Sequence, residues 1–418
     1  MITILHHSST KKIAAFVAVM TAVAIPFRVS GVAVEQAVLV LALLASFVGV
    51  WKSADVRRRF VDAVSSTQGI LIVVVFVAWV VVLPFSRDIM GSLEIGGRTG
   101  LFIMAAVLVG SVLKETPEHH ALLWKALIIS AVGAGMAAVL SLLGGDIVLS
   151  FLTADFDGDV YAKVTLKAYA TVVVCLTPVV ILAGREVGGT WRYAGYFYIP
   201  VALAIVFLTE NRSAMAGVMS TIVVFLTMLA VGKRRYWKTV FVSILTVSSV
   251  IILWIRHNRY TYESSYGDIT YLPGWLIDPH RQNIWKFVYE KFLDHPWVGN
   301  GIDQLNKLPG AHQIVESLGP SAYVVPSHPH NWGLEILGET GLIGFIPVVI
   351  ALGYLVWKTG KTYLDENSEF ALAKLSLFTG FWTCSLFSYS IWAVWWQLVF
   401  YMLFAILSAT QSKSPSVS

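Results

Sequence analysis

The sequence predicts an all-α polytopic membrane protein, and three observations carry that prediction. Of 418 residues, 56% are hydrophobic and only 13% are charged, roughly half the charged share of a typical soluble domain. Mean hydropathy is +0.71. The apolar residues fall in runs close to the roughly 20 residues that cross a hydrocarbon core. The net charge of +5 does not point to nucleic acid, because membrane proteins concentrate Lys and Arg in cytoplasmic loops. Cys175 and Cys384 both lie inside apolar runs. They read as buried small hydrophobes, with no disulfide framework and no thiolate metal site. The first apolar run follows Lys11-Lys12 and lacks a clear small-residue cleavage site, so no signal peptide is expected.

About twelve spans are expected, at 13–27, 34–51, 69–85, 98–113, 121–144, 164–184, 194–209, 213–231, 238–255, 333–357, 371–389 and 391–408. Alternate connections carry the basic residues: Lys11 and Lys12; Lys52 with Arg57, Arg58 and Arg59; Lys114; Arg185 and Arg192; Lys233, Arg234, Arg235 and Lys238; Lys358 and Lys361; Lys413. The connection 146–161, by contrast, holds Asp155, Asp157 and Asp159. The positive-inside rule then puts both termini in the cytoplasm.

One outer connection, 256–332, is far longer than the rest, and loops of that length usually have a role. It divides the chain into a first bundle (1–255, about nine spans), the long loop, and a last group of about three spans with a short tail (333–418). Within the loop, Ile284, Val288 and Phe292 share one helical face, and Trp285, Tyr289 and Lys291 suit an interface. The stretch reads as an amphipathic helix on the membrane surface, or alternatively as a helix packed on the loop's own core. Residues 260–274, rich in Tyr and Gly, read as irregular.

The chemistry concentrates where the loop runs into the next span, at Ser327-His328-Pro329-His330-Asn331-Trp332. A histidine is the natural general base near neutral pH, so His330 is the catalytic candidate. The plain alternative is a loop residue before a helix cap. His328 and Asn331 are candidate substrate contacts. His-x-His without a third ligand is a weak metal signal, and no metal and no cofactor are expected. No Walker or Rossmann glycine motif is present.

Four cations complete the constellation. Arg212 follows a very short turn between two spans, where it either snorkels or binds an anion. Arg281 stands at the start of the loop helix, where exposed backbone donors would add to its pull on phosphate; the alternative is a surface arginine paired with Asp278. Lys163 and Lys167 lie one turn apart at the start of a span. Glu339, about 12 Å along a helix from Asn331, is expected in a structural ion pair with an arginine or lysine. Gly341 and Gly344 are expected to permit close helix contact. Together these groups suit a lipid-linked pyrophosphate donor, whose departing anion two arginines would hold.

The stretch from His330 resembles the O-antigen ligase signature: His330-Asn331, nine residues, then Gly341-Leu342-Ile343-Gly344. Arg281 with Trp285, Pro296-x-x-Gly299-x-Gly301, and Arg212 before Ser213-Ala214 look like further parts of that family, although Asn211 replaces an expected small hydroxyl residue. The resemblance covers roughly 205–345. It implies a GT-C-like glycosyltransferase at the periplasmic face of the Gram-negative inner membrane. Such enzymes move O-polysaccharide from undecaprenyl pyrophosphate to a sugar hydroxyl of lipid A–core oligosaccharide, without metal and with inversion. In that scheme Arg212 and Arg281 bind the pyrophosphate and His330 activates the acceptor. O-antigen polymerases and protein O-oligosaccharyltransferases share the donor and are the near alternatives. A lipid-linked oligosaccharide flippase is the alternative from another class, disfavoured because the charges cluster at one face.

Overall fold

The computed structural model describes residues 2–144, 147–153, 161–232, 262–263, 269–270, 279–315 and 323–411. The expected span 238–255, the basic cluster 233–238 and the acidic residues Asp155, Asp157 and Asp159 lie outside the described residues. The helices are α1 (Ile2–Ala24), α2 (Val32–Lys52), α3 (Ala54–Val64), α4 (Thr67–Val82), α5 (Ile89–Glu115), α6 (His120–Gly144), α7 (Ile147–Thr153), α8 (Ala162–Thr165), α9 (Lys167–Val187), α10 (Thr190–Leu208), α11 (Arg212–Gly232), α12 (Pro279–Asp294), α13 (Trp332–Glu366), α14 (Glu369–Ser385) and α15 (Val394–Ala409). Within the stretch expected to be irregular, Tyr262–Glu263 and Ile269–Thr270 form a short antiparallel ribbon.

Eight helices among the described residues are long and apolar enough to cross a membrane: α2, α4, α5, α6, α9, α10, α11 and α13. Helices also occupy the expected spans 13–27, 371–389 and 391–408, as α1, α14 and α15. Their outer faces are oily, with Phe47, Leu101 and Ile129 exposed. In water such a surface would be an aggregation liability; in lipid it is the solvent-facing side. The centre is α9, whose Val172, Val173, Cys175, Leu176, Val179 and Val180 are completely buried. Cys175 and Cys384 are buried and free, as expected.

The loop helix α12 follows the second of the two readings. Ile284 and Val288 pack with Leu305, Leu308, Ala311 and Val325 from the same loop and with Leu334 of α13. Its apolar face is therefore covered by the loop's own residues and by α13. The loop owns enough Leu, Ala and Val in its turns to build a small core.

The span 333–357 is not one regular helix. Gly341 adopts φ +59° and ψ −168° inside α13, a conformation reserved for glycine. The break frees backbone groups, and the loop 296–301 takes them. Asn300 N and Gly301 N donate to Gly338 O (3.2 Å) and Glu339 O (2.8 Å), while Leu342 N and Ile343 N donate to Pro296 O (2.9 Å) and Trp297 O (3.1 Å). The expectation that Gly341 serves helix contact is corrected: it serves a helix break into which the loop docks. Gly344 does stand at a close contact, since a Cβ there would lie 3.1 Å from Trp79 of α4.

Candidate functional site

The site lies at one end of the bundle, between the loop, the start of α13 and the turn 386–393 that joins α14 to α15. Asn331 begins α13 as its N-cap, its Oδ1 accepting from Gly333 N (3.0 Å) and Leu334 N (3.1 Å). This satisfies two donors that the helix start leaves open. The side-chain oxygen of this candidate substrate contact is thus committed to the cap. His330, just before it, has φ +55°, unusual for a residue with a Cβ. The surrounding bonds hold it there. Trp285 Nε1 of α12 donates to Pro329 O at 3.0 Å, and His330 Nδ1 lies 2.6 Å from Ser388 O.

That last contact assigns the ring's tautomer. A carbonyl oxygen only accepts, so Nδ1 carries the proton and the lone pair of the neutral ring is on Nε2. His328 meets the same carbonyl through Nε2 at 3.2 Å, and its Nδ1 is 2.9 Å from Ser327 Oγ. Both of its nitrogens are engaged. Burial, and then the neighbouring His330, push the His328 pKa down from 6.5 to about 4, with Arg281 adding to the effect and the bond to Ser388 opposing it. At neutral pH the His328 ring is therefore uncharged, held between Ser388 and Ser327. Because its folded pKa is depressed, its protonated form favours the unfolded chain. Stability should fall as pH drops from about 6.5 toward 4. In His328→Gln, thermal unfolding followed across that window should lose part of this slope; an unchanged slope would refute the assignment.

The turn 386–393 is itself anchored by carboxylates of α13. Glu335, fully buried, accepts from Ser390 Oγ (2.6 Å) and from Ile391 N (2.8 Å). Glu339 accepts from Trp392 Nε1 at 2.6 Å and from the Asp303 backbone. No ion pair of Glu339 exists among the described residues, which corrects the expected partner. An indole N–H and a backbone N–H replace the cation, because the loop and the turn close over that face of α13 and bring neutral donors to it. Arg98 Nη2 of α5 donates to Trp392 O at 2.9 Å. Replacing Glu335 by Ala leaves the buried Ile391 N–H and the half-buried Ser390 hydroxyl without their acceptor. A loss of about 1–3 kcal/mol per stranded group is expected, read as a lowered unfolding temperature, and Asp, one methylene shorter, should not restore it.

The remaining cations fall into two neighbouring groups. Arg281 stands on the first turn of α12, close enough for its charge to act on His328. Arg212 opens α11 and is exposed. Asn211 caps that helix, its Oδ1 accepting from Ser213 Oγ (2.7 Å), Ser213 N (3.1 Å) and Ala214 N (3.2 Å). A short hydroxyl could accept at the cap but could not also reach across, as Asn211 Nδ2 does, to Lys167 O at 2.6 Å. Lys163 pairs with Glu210 at 2.7 Å, and that bond, with the attraction of Lys163 and Lys167, holds the Glu210 carboxyl below its usual range. The two groups are linked by α14, since Cys384 Sγ, four residues before Ser388, lies 3.5 Å from Ser213 O.

Glu335 was noticed at this boundary but given no role, and Arg98 and the turn 386–393 were not singled out from the sequence. Two of these had a usable signal, because charges within apolar spans demand partners. Ser388 had none, since it acts through its backbone carbonyl. No cluster of three or more His, Cys, Asp or Glu suited to a metal occurs among the described residues.

Residues 197–349 match the family model described as O-Antigen ligase, and parts of the chain are similar to proteins named as polysaccharide ligases. A Rickettsia conorii protein named "Putative polysaccharide ligase" is 32% identical over 119 residues, 28% of each chain. A Rickettsia prowazekii protein of the same description is 28% identical over 167 residues, 39% of this chain and 40% of its own. One from Rickettsia felis is 27% identical over 210 residues, 50% of this chain and 49% of its own. In each case the match spans less than half of the relative's length.

Proposed function

We propose that this chain is a glycosyltransferase that moves O-polysaccharide from undecaprenyl pyrophosphate to a sugar hydroxyl of lipid A–core oligosaccharide. The frame is GT-C-like, the site faces the periplasm of a Gram-negative inner membrane, and both termini are cytoplasmic. The observation that carries the reading is the bond from His330 Nδ1 to Ser388 O, which presents Nε2 as the basic nitrogen.

In the proposed step Nε2 takes the proton of the acceptor hydroxyl. The hydroxyl oxygen attacks the anomeric carbon from the face opposite the leaving group, and the carbon–oxygen bond to the pyrophosphate breaks. Undecaprenyl pyrophosphate departs with the bonding pair, and the anomeric centre inverts. Arg281 and Arg212 supply fixed positive charge for the phosphates, in the planar form that suits paired oxygens, with Lys163 and Lys167 beside Arg212. No nucleotide or metal enters this balance.

The test is transfer in vitro with purified protein, lipid-linked glycan, lipid A–core and EDTA. Transfer to the lipid acceptor that is lost in Arg281→Ala supports the reading. Elongation of glycan on its own carrier would replace it with a polymerase, and transfer only to a protein acceptor would replace it with a protein-glycosylating enzyme.

A further inference from the structure

At the end of the bundle opposite His330, three lysines converge on one mouth. Lys114 ends α5, Lys358 lies in the second half of α13, and Lys374 stands on the second turn of α14. They border a groove of about 590 Å³ between α4, α5, α13 and α15. Lys114 lines it directly. Lys358 Nζ sits 6.0 Å from the ring of Tyr354, and Lys374 Nζ 5.8 Å from that of Phe404; both rings line the groove. Its walls are mostly apolar, with Phe76, Ile103, Val107, Leu352 and Leu355 among them, and Arg59, Asp62, Gln68, Thr99 and Gln397 add polar groups.

The charges there are unbalanced. Lys114 and Lys358 are close enough to repel Lys374. Among the described residues, the side-chain hydrogen bond of Lys374 goes to the neutral Gln411 Oε1, at 2.9 Å. None of the three forms an ion pair among the described residues. Of the nearby acids, Glu115 is taken by Arg59 at 3.0 Å, and Asp62 lines the same groove. A half-buried amine beside two like charges is costly without a counter-ion. An apolar groove ending in such a cluster is what an anionic lipid would satisfy at both ends.

We propose that Lys114, Lys358 and Lys374 bind the headgroup of an anionic glycerophospholipid whose acyl chain lies in the groove between α4, α5, α13 and α15. The lysine mouth lies at the end away from His330, although the groove's far wall includes Ile336, Ile391 and Trp392, and the lipid-binding test does not depend on the transfer reading.

The experiment uses the delipidated, purified chain in neutral detergent and follows thermal unfolding. The additions are dioleoyl phosphatidylglycerol, dioleoyl phosphatidylcholine, inorganic phosphate and a neutral polyprenol. Only phosphatidylglycerol should raise the unfolding temperature. Each lysine changed to Gln should weaken its apparent affinity about fivefold, as expected for a basic residue contributing near 1 kcal/mol at a lipid surface. Without lipid, the triple variant should be at least as stable as wild type, because mutual repulsion is removed. Lys358→Gln alone, on an exposed side chain, keeps the test open should the triple variant not fold. Equal protection by phosphatidylcholine or phosphate, or an undiminished effect in Lys358→Gln and the triple variant, would overturn the proposal. Equal protection by the polyprenol would assign the groove to a neutral chain and overturn it too.

Discussion

His330→Ala is expected to lower glycan transfer by about 10²–10⁴-fold, the usual contribution of a positioned general base, while the protein stays folded. The informative comparison is with His330→Gln. A glutamine amide can still donate to Ser388 O, which His330 Nδ1 meets at 2.6 Å, but it offers no basic nitrogen. If His330 acts as a base, Gln is as inactive as Ala. If the ring serves only to tie the α13 start to the turn 386–393, Gln recovers much of the activity and Ala does not. The effect should fall on kcat rather than KM, since the proton moves in the transition state. His328→Gln is the natural control. Both nitrogens of His328 are committed to Ser388 and Ser327, so its loss should alter stability more than the rate of the bond-making step.

Residues that act through their side chains and local sequence were legible; those that act through folded backbone were not. The position of His330 could be read because Asn331 and the apolar run beyond it mark a helix start, and the cap is formed as that pattern requires. The convergence of Arg281 on the same place could be anticipated from type and position. The carbonyl of Ser388 could not, because a backbone oxygen 58 residues away leaves no trace in the identity of its residue. Glu339 was noticed for its depth but matched to the wrong partner. Its acceptor oxygen found Trp392 Nε1 because folding places the turn 386–393 over that face of α13. Periodicity left two readings of α12 open, since an amphipathic face states that burial is needed and not against what.

Gly341→Ala is expected to remove activity through structure, with a loss of about 3 kcal/mol or more. Two costs add. The φ of +59° with ψ −168° is a backbone state that other residues reach only at about 1–3 kcal/mol. A Cβ would also lie 2.4 Å from Trp297 C and O and 2.5 Å from Val298 N, backbone atoms with no side-chain rotamer to change, and overpacking of this kind costs typically 1–3 kcal/mol. The reciprocal glycine is Gly299, with φ +69° and a Cβ that would lie 2.4 Å from Glu339 C and O. The helix break and the docked loop are therefore fitted to each other from both sides. An alanine at 341 should favour a continuous helix, withdraw the Gly338 and Glu339 carbonyls from Asn300 and Gly301, and release the loop 296–301. Glu339 would then no longer hold Trp392 in register. The damage should reach His330 through the turn 386–393 without touching it. Limited proteolysis should find new cleavage within 296–301 in Gly341→Ala but not in His330→Ala, and unfolding temperature should drop only in the former. Wild-type protection of that loop in Gly341→Ala, with normal transfer, would show that the break tolerates a side chain and that the loop is held by other means.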